Sequence, residues 1–68
     1  MKPGDKVCYI PTQENGIIKN TNMLSIGMVH VVYNCSGNWE EYFNYTAELT
    51  ELKYLEMGWV TEKQYETS

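Results

Sequence analysis

Apolar and polar positions along this chain change over in short runs, and each run is bounded by turn-forming residues. Residues 6–10, Lys-Val-Cys-Tyr-Ile, alternate as a strand does, with Val7 and Tyr9 on one face and Cys8 and Ile10 on the other. Gly4-Asp5 supplies the turn before it, and Pro11, which has no N–H for a ladder, ends it. The polar stretch 12–15 reads as a loop that ends at Gly16. Ile17-Ile18 then open a short β-branched strand that decays into Lys19-Asn20-Thr21-Asn22. Residues 28–33, Met-Val-His-Val-Val-Tyr, are the densest β-forming run and predict a central strand. Val29, Val31, Tyr33 and Cys35 form its more apolar face and should point into the core; Met28, His30, Val32 and Asn34 form the other.

Beyond the turn at Ser36-Gly37-Asn38 the pattern is less regular. Trp39, Tyr42, Phe43 and Tyr45 crowd into seven positions. Leu49, Leu52 and Leu55 have helical spacing with Thr50 as an available N-cap, but Gly58 closes the window after two turns. The reading adopted is a strand over 43–49, one 3₁₀ turn over 50–54 and a last strand over 55–60. Five short strands separated by turns predict an all-β fold, a partly open barrel over residues 1–60. Residues 61–68 should be a polar C-terminal tail.

Composition narrows the function. A chain of 68 residues with 43% hydrophobic content has material for one small core, so a deep catalytic cleft would compete with that core for side chains. Nine acids against five lysines, with no arginine, give a net charge of -4, which argues against binding to a phosphate backbone. The acidity is uneven: residues 1–38 carry three lysines and two acids, residues 39–68 two lysines and seven acids. The polar start, Met1-Lys2-Pro3-Gly4-Asp5, has no apolar run behind it, so no secretion signal and no membrane span are expected. The expectation is a cytoplasmic protein in which Cys8 and Cys35 are reduced, buried thiols.

Pro3-Gly4-Asp5-Lys6-Val7 opening a strand, then Asn15-Gly16-Ile17-Ile18-Lys19, then a long Val-rich strand, resemble the opening of SH3-like barrels of the KOW and Tudor kind. Tyr45-Thr46-Ala47 with Thr50-Glu51-Leu52-Lys53-Tyr54-Leu55-Glu56 is similar to the strand, 3₁₀ turn and final strand that close such barrels. Val31-Val32-Tyr33-Asn34-Cys35, Asn38-Trp39, Asn44-Tyr45-Thr46-Ala47 and Gly58-Trp59 also resemble small proteins of bacteria and their phages. The likeness covers roughly residues 3–59. It implies a five-stranded SH3-like barrel with one 3₁₀ turn before the last strand, and it implies no particular function, because such barrels bind many kinds of partner.

Catalytic chemistry finds little purchase in this composition. His30 is the single histidine, and with Cys8 or Cys35 it would be the one nucleophile–base pair or metal-ligand set on offer, without the close-paired spacing of a structural zinc site. Glu40-Glu41, read on a strand, point to opposite faces and cannot converge on one bond. The five glycines are dispersed, so no phosphate-cradling loop exists. The chain is therefore read as a non-catalytic binding module without metal or cofactor. The aromatics exceed what so small a core can bury. Trp39 and Tyr42 are the candidate groove-lining residues, supported by Tyr45 and Trp59 and bordered by Glu40 and Glu41. The expected partner is a protein or a second copy of the chain. One rival reading is an acidic phage-type inhibitor that occupies a host protein's nucleic-acid-binding surface through a stripe of Glu40, Glu41, Glu48, Glu51 and Glu56. A weaker rival is a KOW-like nucleic-acid binder using Lys2, Lys6, Lys19 and Lys53.

Overall fold

The computed structural model describes residues 1–33 and 37–59. Five strands, β1 (Lys6–Tyr9), β2 (Glu14–Asn20), β3 (Met28–Val32), β4 (Glu48–Glu51) and β5 (Leu55–Met57), form one antiparallel sheet in the order β4-β3-β2-β1-β5. Consecutive strands are neighbours until the last, which returns across the molecule to pair with β1. Three 3₁₀ segments join them: η1 (Leu24–Ile26), η2 (Trp39–Asn44) and η3 (Leu52–Tyr54). The expected all-β class, the strand count and the 3₁₀ turn before the last strand are all present. The sheet is open, with β4 and β5 as its two edges. The last strand, expected over 55–60, ends at Met57, where Gly58 turns the chain; residues 60–68, and with them the expected tail, lie outside the described residues, as does Cys35.

The β1–β2 hairpin is tighter than the sequence suggests. Gln13 adopts φ 60° and its N–H donates to the Tyr9 carbonyl at 2.7 Å, so pairing starts at Tyr9↔Glu14. Glu14 and Asn15, expected in a loop, are therefore strand residues. Next along, Gly16 has no room for a side chain: a Cβ there would lie 2.6 Å from Val31 Cγ1 and 3.0 Å from the Val32 carbonyl. Glycine lets β2 approach β3 this closely.

Register explains the core. Val7, Ile18, Val29 and Val31 are fully buried on one face, with Tyr33, Leu52 and Leu55 packed against them. Each such aliphatic side chain contributes about 1.5–3 kcal/mol by leaving water. The other face is buried too: Cys8 and Ile17 are almost inaccessible and Val32, expected to point outward, is completely so. The reason is η2, which lies against β2 and closes that face. A strand covered on both sides loses the inside–outside alternation on which the Val32 expectation relied.

The segment before β4 departs furthest from expectation. Residues 39–44 form two 3₁₀ turns joined at a kink at Glu41, and β4 begins at Glu48 instead of 43. Phe43, expected to open a strand, is 58% exposed on η2. Glu40 and Glu41 are exposed on the same short helix, so the opposite-face argument from strand geometry does not apply to them.

Candidate ligand-binding surface

One hollow of about 370 Å³ opens where the core-bearing face runs out toward β4. Its aromatic wall is built from three tyrosines that are far apart in sequence. Tyr9 ends β1, Tyr33 follows β3, and Tyr54 closes η3. Tyr9 meets Tyr33 edge-on at 6.0 Å between centroids and Tyr54 at 6.1 Å, a geometry in which each ring edge faces a neighbour's π-face. The Ile10 N–H donates to the Tyr54 carbonyl at 2.8 Å and ties η3 to the end of β1.

The rim is acidic. Glu14 from β2 and Glu48 and Glu51 from β4 border the hollow, with Met28 and Leu49 supplying apolar surface between them. Lys53 lies 3.3 Å from Glu51, and this exposed pair leaves the rim with a net negative charge. The Glu51 carboxylate hydrogen-bonds the Lys53 ammonium and raises its pKa. At the base, Tyr33 Oη and Thr50 Oγ1 share a hydrogen bond of 2.7 Å, and Thr50 is buried. Burial raises the Tyr33 pKa, the Thr50 hydrogen bond opposes this, and Glu48, Tyr9 and Glu14 add to the rise. The phenol therefore stays protonated and available as a donor across the ordinary pH range.

The residues singled out from sequence gather elsewhere, around η2 and Trp59. Trp39 packs on Trp59 at 4.9 Å with a 52° tilt. Trp59 Nε1–H donates to the Gly16 carbonyl at 2.9 Å, and the Lys6 ammonium lies 4.6 Å from the Trp59 ring centre. Tyr42 meets Phe43 edge-on at 5.8 Å, and its hydroxyl lies beside Gly4. The Tyr45 carbonyl accepts from Lys19 Nζ at 2.6 Å, and its hydroxyl accepts from Asn38 Nδ2 at 3.3 Å. Trp39, Tyr42, Tyr45 and Trp59 are thus brought together and half-buried, while Glu40 and Glu41 stay exposed beside Trp39. A second depression, of about 480 Å³, is lined by Gly37, Asn38, Trp39, Glu40 and Glu41, all from that local stretch.

The five glutamates of the acidic stripe do not align. Glu48 and Glu51 lie at the hollow, Glu40 and Glu41 on η2, and Glu56 on β5 opposite Cys8, at the other side of the sheet. His30 is half-buried on β3 with Nδ1 2.8 Å from Asn20 Oδ1, and β2 separates it from Cys8 on β1. Among the described residues no group of His, Cys, Asp or Glu is placed to hold a metal ion, and no helix is long and apolar enough to cross a membrane.

Sequence reasoning missed the hollow because its members come from six separate places along the chain. The available signal was positional: Tyr9, Tyr33 and Tyr54 each stand at a strand end or turn, and glutamates stand near turns too. Compared with known proteins, the chain matches no family model, no curated protein and no solved structure.

Proposed function

We propose that this domain is a non-catalytic binding module that holds a basic segment of a protein partner in the tyrosine-lined hollow. The finer fold reading that accompanies it is a partly open SH3-like barrel, supported by the strand order and by the 3₁₀ turn between β4 and β5. The observation that carries the functional reading is the convergence of Tyr9, Tyr33 and Tyr54 with Glu14, Glu48 and Glu51 on one concavity. Tyrosine rings give large contact area at low entropy cost, and their π-faces attract ammonium and guanidinium groups. The rim carboxylates add complementary charge that steers a cationic segment and rejects an acidic one.

The Trp39–Trp59 cluster has a different part in this reading. Its rings pack on each other and on the sheet's back, which makes it support for the fold instead of the contact surface.

Selection of random displayed peptides on the full chain tests the proposal. Enriched sequences should be rich in lysine or arginine, and Tyr54→Ala should weaken them by about tenfold or more, as loss of an aromatic anchor does. Glu48→Gln should weaken them less and reduce their salt sensitivity. Enriched peptides without basic residues, or binding that survives Tyr54→Ala undiminished, would rule the hollow out as the site.

A further inference from the structure

The two edges of the sheet differ in what lies beside them. On β4, the Leu52 N–H donates to the Gly27 carbonyl at 2.9 Å, which extends the β3–β4 ladder one position past the Met28↔Glu51 pair. Antiparallel ladders alternate between residues that bond across the pair and residues whose N–H and C=O point away. Counting back by twos from Leu52, Thr50 and Glu48 bond to β3, and the backbone groups of Leu49 and Glu51 point off the edge. The Glu51 carbonyl is taken by the first turn of η3, for which Glu51 is the N-cap, which leaves the Leu49 N–H and C=O and the Glu51 N–H facing outward along the edge. On β5, the Gly58 N–H donates to the Lys6 carbonyl at 2.9 Å, and the same counting turns Leu55 and Met57 outward. The difference is the hollow, which all of β4 lines and none of β5 does.

Resting on the basic-segment reading above, we infer that the partner's segment enters as an added strand along β4. Its backbone pairs with both groups of Leu49 and with the N–H of Glu51. Every second side chain then falls on the core-bearing side, where Glu48, Glu14 and the tyrosines lie, and the intervening ones fall beside Leu49, which is 44% exposed. The segment it fits alternates lysine or arginine with apolar residues. A second copy of this chain is a poor occupant by β4-to-β4 pairing, because it would gather the Glu48 and Glu51 carboxylates of both copies along one seam, and like charges close together across strands are destabilising.

The test uses the full chain and short, end-blocked peptides of alternating lysine and valine. Its controls are the glutamate counterpart and two forms N-methylated on one or the other alternate set of residues. Bound lysine peptide should shift the Leu49 and Glu51 amide resonances and slow their hydrogen exchange. Methylating the set that faces β4 should weaken binding by about tenfold or more, since each methyl removes a backbone donor to the edge, and methylating the other set should not. Equal binding of both methylated forms with loss of the glutamate peptide would overturn strand addition and leave the basic-segment reading standing. Equal binding of lysine and glutamate peptides would remove that reading itself. Unchanged exchange at Leu49 and Glu51, no binding at millimolar peptide, or concentration-dependent pairing of the chain through β4 would each overturn the strand-addition inference.

Discussion

Two aromatic clusters stand on this small sheet, and they are built in opposite ways. On the back, Trp39 and Trp59 face each other, and Trp59 is fixed to the Gly16 carbonyl and capped by the Lys6 ammonium. Around the hollow, Tyr9, Tyr33 and Tyr54 touch edge to edge and leave a concavity between them that no described side chain fills. Ring count does not separate a binding surface from a packing surface. What separates them is whether the rings close on each other or stand around a gap, and whether charge of one sign collects at the margin.

The largest test of this contrast lies in β3, whose Val31 and Val32 point to opposite faces and are both completely buried. If the back is as well closed as the core, Val31→Asp and Val32→Asp should each cost about 4 kcal/mol or more, enough to unfold a domain this size. Chemical denaturation of the two variants measures this. A Val32→Asp protein that melts near wild type would mean that the back face is open and the comparison is mistaken.

A smaller pair of effects separates the clusters directly. Trp59→Ala removes a half-buried indole, its hydrogen bond to Gly16 and its contact with Trp39, and should cost about 2–3 kcal/mol of stability. Tyr54→Ala truncates a ring that is 40% exposed and should cost about 1 kcal/mol or less while impairing peptide binding. Thermal melts and affinities of both variants decide it: equal loss of stability, or equal loss of affinity per folded molecule, would erase the distinction.

The same contrast explains what the sequence could reveal. Strand β3 is legible because four of the six residues 28–33 carry strong β preference, and Val29 and Val31 point inward as their spacing predicts. The end of β3 was misjudged at Val32 since burial of its outer face depends on η2, a segment whose own conformation is set by packing. Residues 39–44 mix aromatic and acidic positions without a period of two or 3.6, so neither strand nor helix pattern describes them. Nothing local marks Phe43 as the exposed ring of that turn. The hollow was the least legible feature. Tyr9, Glu14, Tyr33, Glu48 and Tyr54 become neighbours through the return of the chain past η3 toward β1, which is a property of topology and not of any window of sequence.

The smallest expected effect concerns Tyr33, at the base of the hollow. Its phenol shares a 2.7 Å hydrogen bond with buried Thr50, while Thr50 Oγ1 keeps a longer contact of 3.4 Å to the Glu48 carbonyl. Tyr33→Phe should cost about 1 kcal/mol near neutral pH, the net worth of one such bond. The pH dependence has a definite sign. Burial, reinforced by Glu48, Tyr9 and Glu14, raises the folded-state pKa of Tyr33 above its unfolded value of 10.0. The unfolded chain therefore releases this proton first. The stabilisation is complete below that pH and is lost as pH rises through the folded-state pKa. The stability difference between wild type and Tyr33→Phe should accordingly shrink above about pH 10, as the unfolded phenol ionises while the folded one is still held protonated. Urea denaturation of both proteins at neutral and alkaline pH reads this difference. A gap that stays constant or widens into the alkaline range would show that Tyr33 is not the shielded floor of the site, and that this part of the hollow is as open as its rim.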